Sequence, residues 1–151
     1  MKPLLVLAWG NRSRGDDALG PLLLDALQAA LTPAQHARVE LLEAHQLQPE
    51  HALDLAGRER VLLADADRSA SPPFEARTVA PRRDSTLASH ALSPEALLAV
   101  ATRLQRDALP PVTLLALPAR AFELGAAPRA EALAALPQAL QWSLHWIDPR
   151  I

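Results

Sequence analysis

The sequence predicts a single three-layer α/β domain, with a twisted, mostly parallel five-stranded sheet and helices on both faces. Three observations predict it. Short apolar runs without polar alternation (Pro3 to Ala8, Val61 to Ala64, Pro111 to Leu117) read as strands buried on both faces. Segments with leucines at i, i+3 and i+4 spacing separate them and read as amphipathic helices. The chain has 151 residues and is 50% hydrophobic, which suits one domain with a proper core.

Pro3 to Ala8 is the first strand. Asp17 to Leu31 follows as a helix, with Leu19, Leu22, Leu23, Ala26, Leu27 and Ala30 on one stripe, and Thr32-Pro33 ends it. Asp16 suits its cap, and Asp17 its first turn, where the helix dipole favours negative charge. Val39 to Leu42 is a short strand. His45 to Glu50 is a loop feeding a short helix, with Pro49 at its first position, Leu53 and Leu55 covering the sheet and Gly57 closing it. Val61 to Ala64 is a strand ending at Asp65.

Arg68 to Pro73 is a polar turn, and Phe74 to Ala80 alternates like an edge strand. Pro81 to Ser89 is polar. Ser93-Pro94-Glu95 combines a cap, a first-turn proline and a first-turn acid, so a helix starts there, with Leu97, Leu98, Ala101 and Leu104 inward. Pro111 to Leu117 is the last strand, and Pro118 to Ala127 a long loop. Pro128 to Trp146 is helical, with Leu133, Leu136, Leu140 and Leu144 on one side, and Pro137 should kink or split it. Alternation of this kind gives a parallel sheet covered by helices.

Composition excludes several classes. There is no cysteine, so disulfides, thiolate nucleophiles and Cys-rich zinc sites are out. The net charge is −2 with no basic block, which argues against a nucleic-acid partner. No apolar run reaches the roughly 18 residues of a membrane span, and Met1-Lys2-Pro3 does not begin a signal peptide, so the expected location is the cytoplasm.

In open parallel sheets, sites form beyond the carboxyl ends of the strands. Asp16 and Asp17 fall there after the first strand, Glu43 and His45 after the second, Asp65 after the third, and His90 in the loop before the helix near Ser93. Two carboxylates and an imidazole suit Ni, Zn, Mn or Fe and leave positions open for a substrate. Each residue also has a plainer role, as a helix cap, a turn residue or a surface group. His36, His51 and His145 read as surface groups, and Trp142 with Trp146 as core or a contact patch. The glycines Gly10, Gly15 and Gly20 do not make a dinucleotide fingerprint. Lys2 is the sole lysine, which removes a Walker-type phosphate loop and a response-regulator receiver. No Gly-x-Ser-x-Gly elbow and no His-Glu-x-x-His is present.

Gly10-Asn11-Arg12-Ser13-Arg14-Gly15-Asp16-Asp17-Ala18-Leu19-Gly20 resembles the first motif of the [NiFe]-hydrogenase maturation endopeptidases. Val61 to Ala66 resembles their second motif, an aliphatic strand ending in Asp-Ala, and Ser89 to Ser93 their third, a loop histidine before a helix. Leu114 to Pro118 resembles a strand ending in proline, and the motifs keep their order over almost the whole chain. The resemblance implies an endopeptidase that removes a C-terminal extension from the hydrogenase large-subunit precursor after nickel insertion. Asp17, Asp65 and His90 would contact nickel that the substrate carries, with no stable metal of the protease's own. Asp16 would then cap the helix, and Asp16, Asp17 and Glu43 are the candidates for general base.

The segment Glu43-Ala44-His45-Gln46-Leu47 replaces the family's Asp-Gly-Gly-Thr, and Asp17 is one methylene shorter than the glutamate of some members. The run His45-Gln46-Leu47-Gln48-Pro49-Glu50 resembles the proteases that serve NAD-linked soluble hydrogenases. The expected partner is the large-subunit precursor, with neither nucleic acid nor membrane, and the expected state is a monomer. A non-catalytic chaperone of the nickel-loaded subunit is the alternative.

Overall fold

The computed structural model describes residues 1–83, 92–105 and 107–150. It contains a five-stranded sheet in the order β2-β1-β3-β5-β4. The strands are β1 (Leu4–Trp9), β2 (Val39–Ala44), β3 (Arg60–Asp67), β4 (Glu75–Thr78) and β5 (Val112–Pro118). β1, β2, β3 and β5 run parallel, and β4 is an antiparallel edge. The helices are α1 (Leu19–Ala30), α2 (Pro33–His36), α3 (Ala52–Leu55), α4 (Pro94–Leu104) and α5 (Ala130–Ile147). Among the described residues, no helix is long and apolar enough to cross a membrane.

β1 is the axis of the core, and all six of its residues are buried. Period-two alternation sends Leu4, Val6 and Ala8 to the face covered by α1 and α5, and Leu5, Leu7 and Trp9 to the face covered by α3 and α4. Each fully buried leucine stabilises the fold by roughly 1.5–3 kcal/mol relative to exposure. Gly20 lets α1 settle onto the sheet: a Cβ there would lie 2.8 Å from the Trp9 carbonyl oxygen and 3.2 Å from that of Ala64.

The fold is the expected one, with local differences. The first helix is preceded by a 3-10 turn at Gly15–Ala18, and its buried stripe uses Leu24 while Ala30 is exposed. Leu53 and Leu104 point to solvent, so Leu55 with Ala52 covers the sheet from α3, and Ala96 joins the inner face of α4. Ser93 caps α4 as the sequence implies, accepting from the Ala96 N–H at 3.1 Å. α5 is one continuous helix through Pro137, and its buried residues include Ala132, Ala139 and Leu144, while Leu133 is exposed.

β3 does not stop at Asp65. Its ladder with β5 continues through Ala66 and Asp67, whereas its ladder with β1 ends at Ala8–Ala64. Beyond that row the chain after β1 turns away and one side of β3 opens. This is the topological switch point: β1 leads outward to β2 on one side, and β3 lies on the other.

Candidate active site at the switch point

The loop leaving β1 closes on itself. The Asn11 N–H donates to Asp17 Oδ2 at 2.6 Å, the Arg14 N–H to the Asn11 carbonyl at 3.1 Å, and the Asp17 N–H to the Arg14 carbonyl at 3.0 Å. Only glycine fits at position 10, because φ is +149° and a Cβ would lie 2.0 Å from the Asp17 carbonyl oxygen. The turn therefore folds Asp17 back over the end of β1.

Asp65 stands on β3 in the row just past the last β1 pair, opposite Ala116 of β5. Its pKa is pushed up to about 8, first by burial, then by the like charge of Asp17, with Asp67 adding to it. The Ala66 backbone N–H and the Trp9 indole act in the opposite sense and are outweighed. Asp65 thus holds a proton at neutral pH beside an acidic neighbour. A carboxyl pair of this kind can exchange one proton or receive a cation between its members. Among the described residues, no three His, Asp or Glu side chains form a group able to hold a metal ion. His90 lies outside the described residues.

Asp16 does not cap its own helix, which has no side-chain cap. Its fully buried carboxylate instead accepts from the loop after β5: the Arg120 N–H at 2.9 Å, the Ala121 N–H at 3.3 Å, and Arg129 through its N–H at 2.8 Å and its Nε–H at 2.6 Å. Burial alone would raise its pKa, but the Arg120 and Arg129 hydrogen bonds outweigh that and hold it below the usual carboxylate value. The Asp16 N–H also donates to the Ala121 carbonyl at 2.8 Å and the Gly15 N–H to the Ala126 carbonyl at 3.0 Å, so residues 119–129 strap the first loop in place.

Glu43 is exposed and occupied. Arg12 binds it through Nε at 2.9 Å and Nη2 at 2.7 Å, and grips Asp25 with a second pair of hydrogen bonds at 2.8 and 2.9 Å. The hydrogen bond to Arg12 pulls the Glu43 pKa down. His45 is exposed after β2. His51 accepts the Gln48 N–H at 2.9 Å, and His36 Nε2 sits 3.1 Å from the Gln28 carbonyl. Trp142 and Trp146 pack partly buried against the core, with the Arg60 guanidinium 4.5 Å from the Trp146 ring centre.

The structure thus brings Asp17 and Asp65 together, turns Asp16 to the strap and leaves Glu43 on Arg12. Residues that sequence reasoning missed are Arg12, Arg120, Arg129 and Trp9. Only Trp9 had a signal, as the last apolar position before the first glycine turn.

Fold and site together define a parallel α/β protein with an acidic pair at the switch point of its sheet. No family model and no curated protein matches the sequence. Solved structures with the same fold include hydrogenase maturation proteases. HycI from Thermococcus kodakarensis KOD1 is 18% identical with a TM-score of 0.72, covering 97% of this chain and 92% of its own. The hydrogenase maturating endopeptidase HybD from Escherichia coli is 23% identical with a TM-score of 0.71, covering 99% and 94%. An endopeptidase from Escherichia coli studied in solution is 22% identical with a TM-score of 0.73, covering 95% and 90%. This chain has the fold of the hydrogenase maturation endopeptidases.

Proposed function

We propose that this chain is a cytoplasmic endopeptidase that cuts the C-terminal extension from a [NiFe]-hydrogenase large-subunit precursor once nickel is in place. The observation that carries the reading is the Asp17–Asp65 pair at the switch point, with Asp65 pushed up to about 8. A dication brought by the substrate relieves both the burial and the like-charge repulsion, and the Asp65 proton leaves as the ion arrives. His90 is the third ligand in this reading. The ion would draw electron density from the scissile carbonyl; water gives a proton to the general base as it attacks the carbon, the C–N bond breaks, and the new amine takes up that proton. Of the three base candidates, Asp17 has the best claim. Asp16 is fully buried on four donated hydrogen bonds, and Glu43 is paired with Arg12.

The test is incubation of the protein with nickel-loaded and nickel-free precursor, followed by mass spectrometry of the large subunit. Shortening of the loaded form alone supports the reading. Equal cleavage of both forms overturns nickel sensing. Tight binding of the loaded form with no shortening makes the protein a chaperone instead.

A further inference from the structure

Three loops meet at the carboxyl end of the sheet, and each brings a component of a second recognition element. Arg14 lies in the loop after β1, Arg68 follows β3, and Phe122 belongs to the strap after β5. The Arg68 guanidinium lies over the Phe122 ring at 4.2 Å, and Arg14 Nη1 approaches the Phe122 carbonyl at 3.4 Å. Both arginines are exposed, and no described carboxylate lies within ion-pair distance of either. Of the other rim arginines, Arg12 and Arg129 are committed to carboxylates and Arg120 to backbone carbonyls.

The element is held in place from below. Buried Asp16 fixes the Arg120 and Ala121 amides, which sets Phe122. The Arg120 guanidinium donates to the carbonyls of Arg68 and Ala70, each at 2.8 Å, which sets the backbone that carries Arg68. A guanidinium stacked on an aromatic ring keeps its N–H edge outward, in the fork geometry that matches a carboxylate. Preorganisation of this kind reduces the entropy lost on binding.

We propose that Arg14 and Arg68, with Phe122 as platform, form a carboxylate-binding subsite for the substrate chain at the end of the sheet that carries the acidic pair. This rests on the endopeptidase reading and names a feature of its substrate. Arg14 is three residues from Asp17, and Arg68 three from Asp65. Both arginines therefore stand at the same end of the sheet as the acids, their Cα atoms within roughly 10 Å of those of Asp17 and Asp65, the span of about three extended residues. The site is dipolar: a cation is drawn to Asp17 and Asp65, and an anion to the arginines. The carboxylate is either an acidic side chain of the precursor near the cut or the precursor's own C-terminus.

The experiment measures cleavage of nickel-loaded precursor by wild type, by the Arg14→Ala/Arg68→Ala double variant, by Arg68→Lys, and by Arg103→Ala. Arg103 is an exposed arginine on α4 and serves as the charge control. The same enzymes are given precursor with nearby Asp and Glu changed to Asn and Gln, and precursor extended by a Gly-Ser-Gly tail. The double variant should raise KM about tenfold at unchanged kcat, the scale of a charge-assisted hydrogen bond. Arg68→Lys should recover only part, since lysine keeps the charge without the fork. One precursor variant should show the same rise with wild type and no further rise with the double variant, and which one it is names the source. An unchanged KM in the double variant, or a rise that neither precursor change abolishes, overturns the subsite. Wild type that leaves the loaded precursor at full length fails the endopeptidase reading itself, a separate result.

Discussion

The fully buried Asp16 Oδ2 accepts the Arg129 Nε–H at 2.6 Å. This bond joins the loop after β1 to the start of α5, 113 residues later. Three backbone N–H groups complete the carboxylate's shell, so the ion pair is one part of a larger clasp.

Removing the acid should therefore cost more than removing the base. Asp16→Ala leaves three backbone N–H groups and a guanidinium without their acceptor, a loss of about 3–5 kcal/mol. Arg129→Ala leaves Asp16 with its three backbone donors and should cost about 1–2 kcal/mol. Urea denaturation midpoints of the two variants check the order. Because the Asp16 pKa is lowered on folding, its contribution is present above the ordinary carboxylate range and is lost as the pH falls below it.

Asp65 has the opposite sign. Its folded pKa of about 8 exceeds the unfolded value, so between roughly pH 4 and 8 the native state holds a proton that the unfolded chain releases. Stability should fall as the pH rises through that window. Asp65→Asn should flatten the slope and be the more stable protein at pH 9, by an amount on the order of a few kcal/mol. Thermal melts of both proteins from pH 5 to 9 measure it.

Asp17 is a lesser cause of that shift than burial. Asp17→Asn should bring the Asp65 titration down from about 8 and still leave it above an ordinary aspartate. Carboxyl-carbon NMR titration of the variant reads this directly. A return to the full ordinary value would mean that repulsion, not burial, dominates the site.

The architecture was legible because strands buried on both faces leave unbroken apolar runs, and Asp65 was marked by following one such run. The extent of β3 was not legible. Ala66 and Asp67 are held in it by pairing with Leu117 and Pro118 of β5, a long-range ladder with no local trace. The role of Asp16 was hidden for the same reason: its position before a helix suits a cap, and its real partners lie in the strap. Pro137 was expected to kink or split α5; it does not split it, and the helix, fixed on the core by Ala132, Ala139 and Leu144, continues through it.

Gly20→Ala sets helix propensity against packing. Alanine gains about 1 kcal/mol in a helix interior, but its Cβ would meet the Trp9 carbonyl oxygen at 2.8 Å and that of Ala64 at 3.2 Å. Neither is a flexible side chain, so α1 must lift from the sheet, which costs about 1–3 kcal/mol. The variant should be less stable by denaturation. Asp17, carried in the turn just ahead of α1, should shift with it and lower cleavage as well.

Glu43 tests how chemistry is divided among the acids. Both of its oxygens bind Arg12, and the bond to Arg12 keeps it a weak base. Glu43→Gln should therefore leave turnover within a few-fold of wild type. The exposed pair should contribute no more than about 1 kcal/mol to stability. Asp65→Ala, and Asp17→Ala as the proposed base, should abolish cleavage of nickel-loaded precursor while the circular dichroism spectrum stays native. Loss of turnover in Glu43→Gln with the fold intact would move the base to β2 and make Arg12 the group that restrains it.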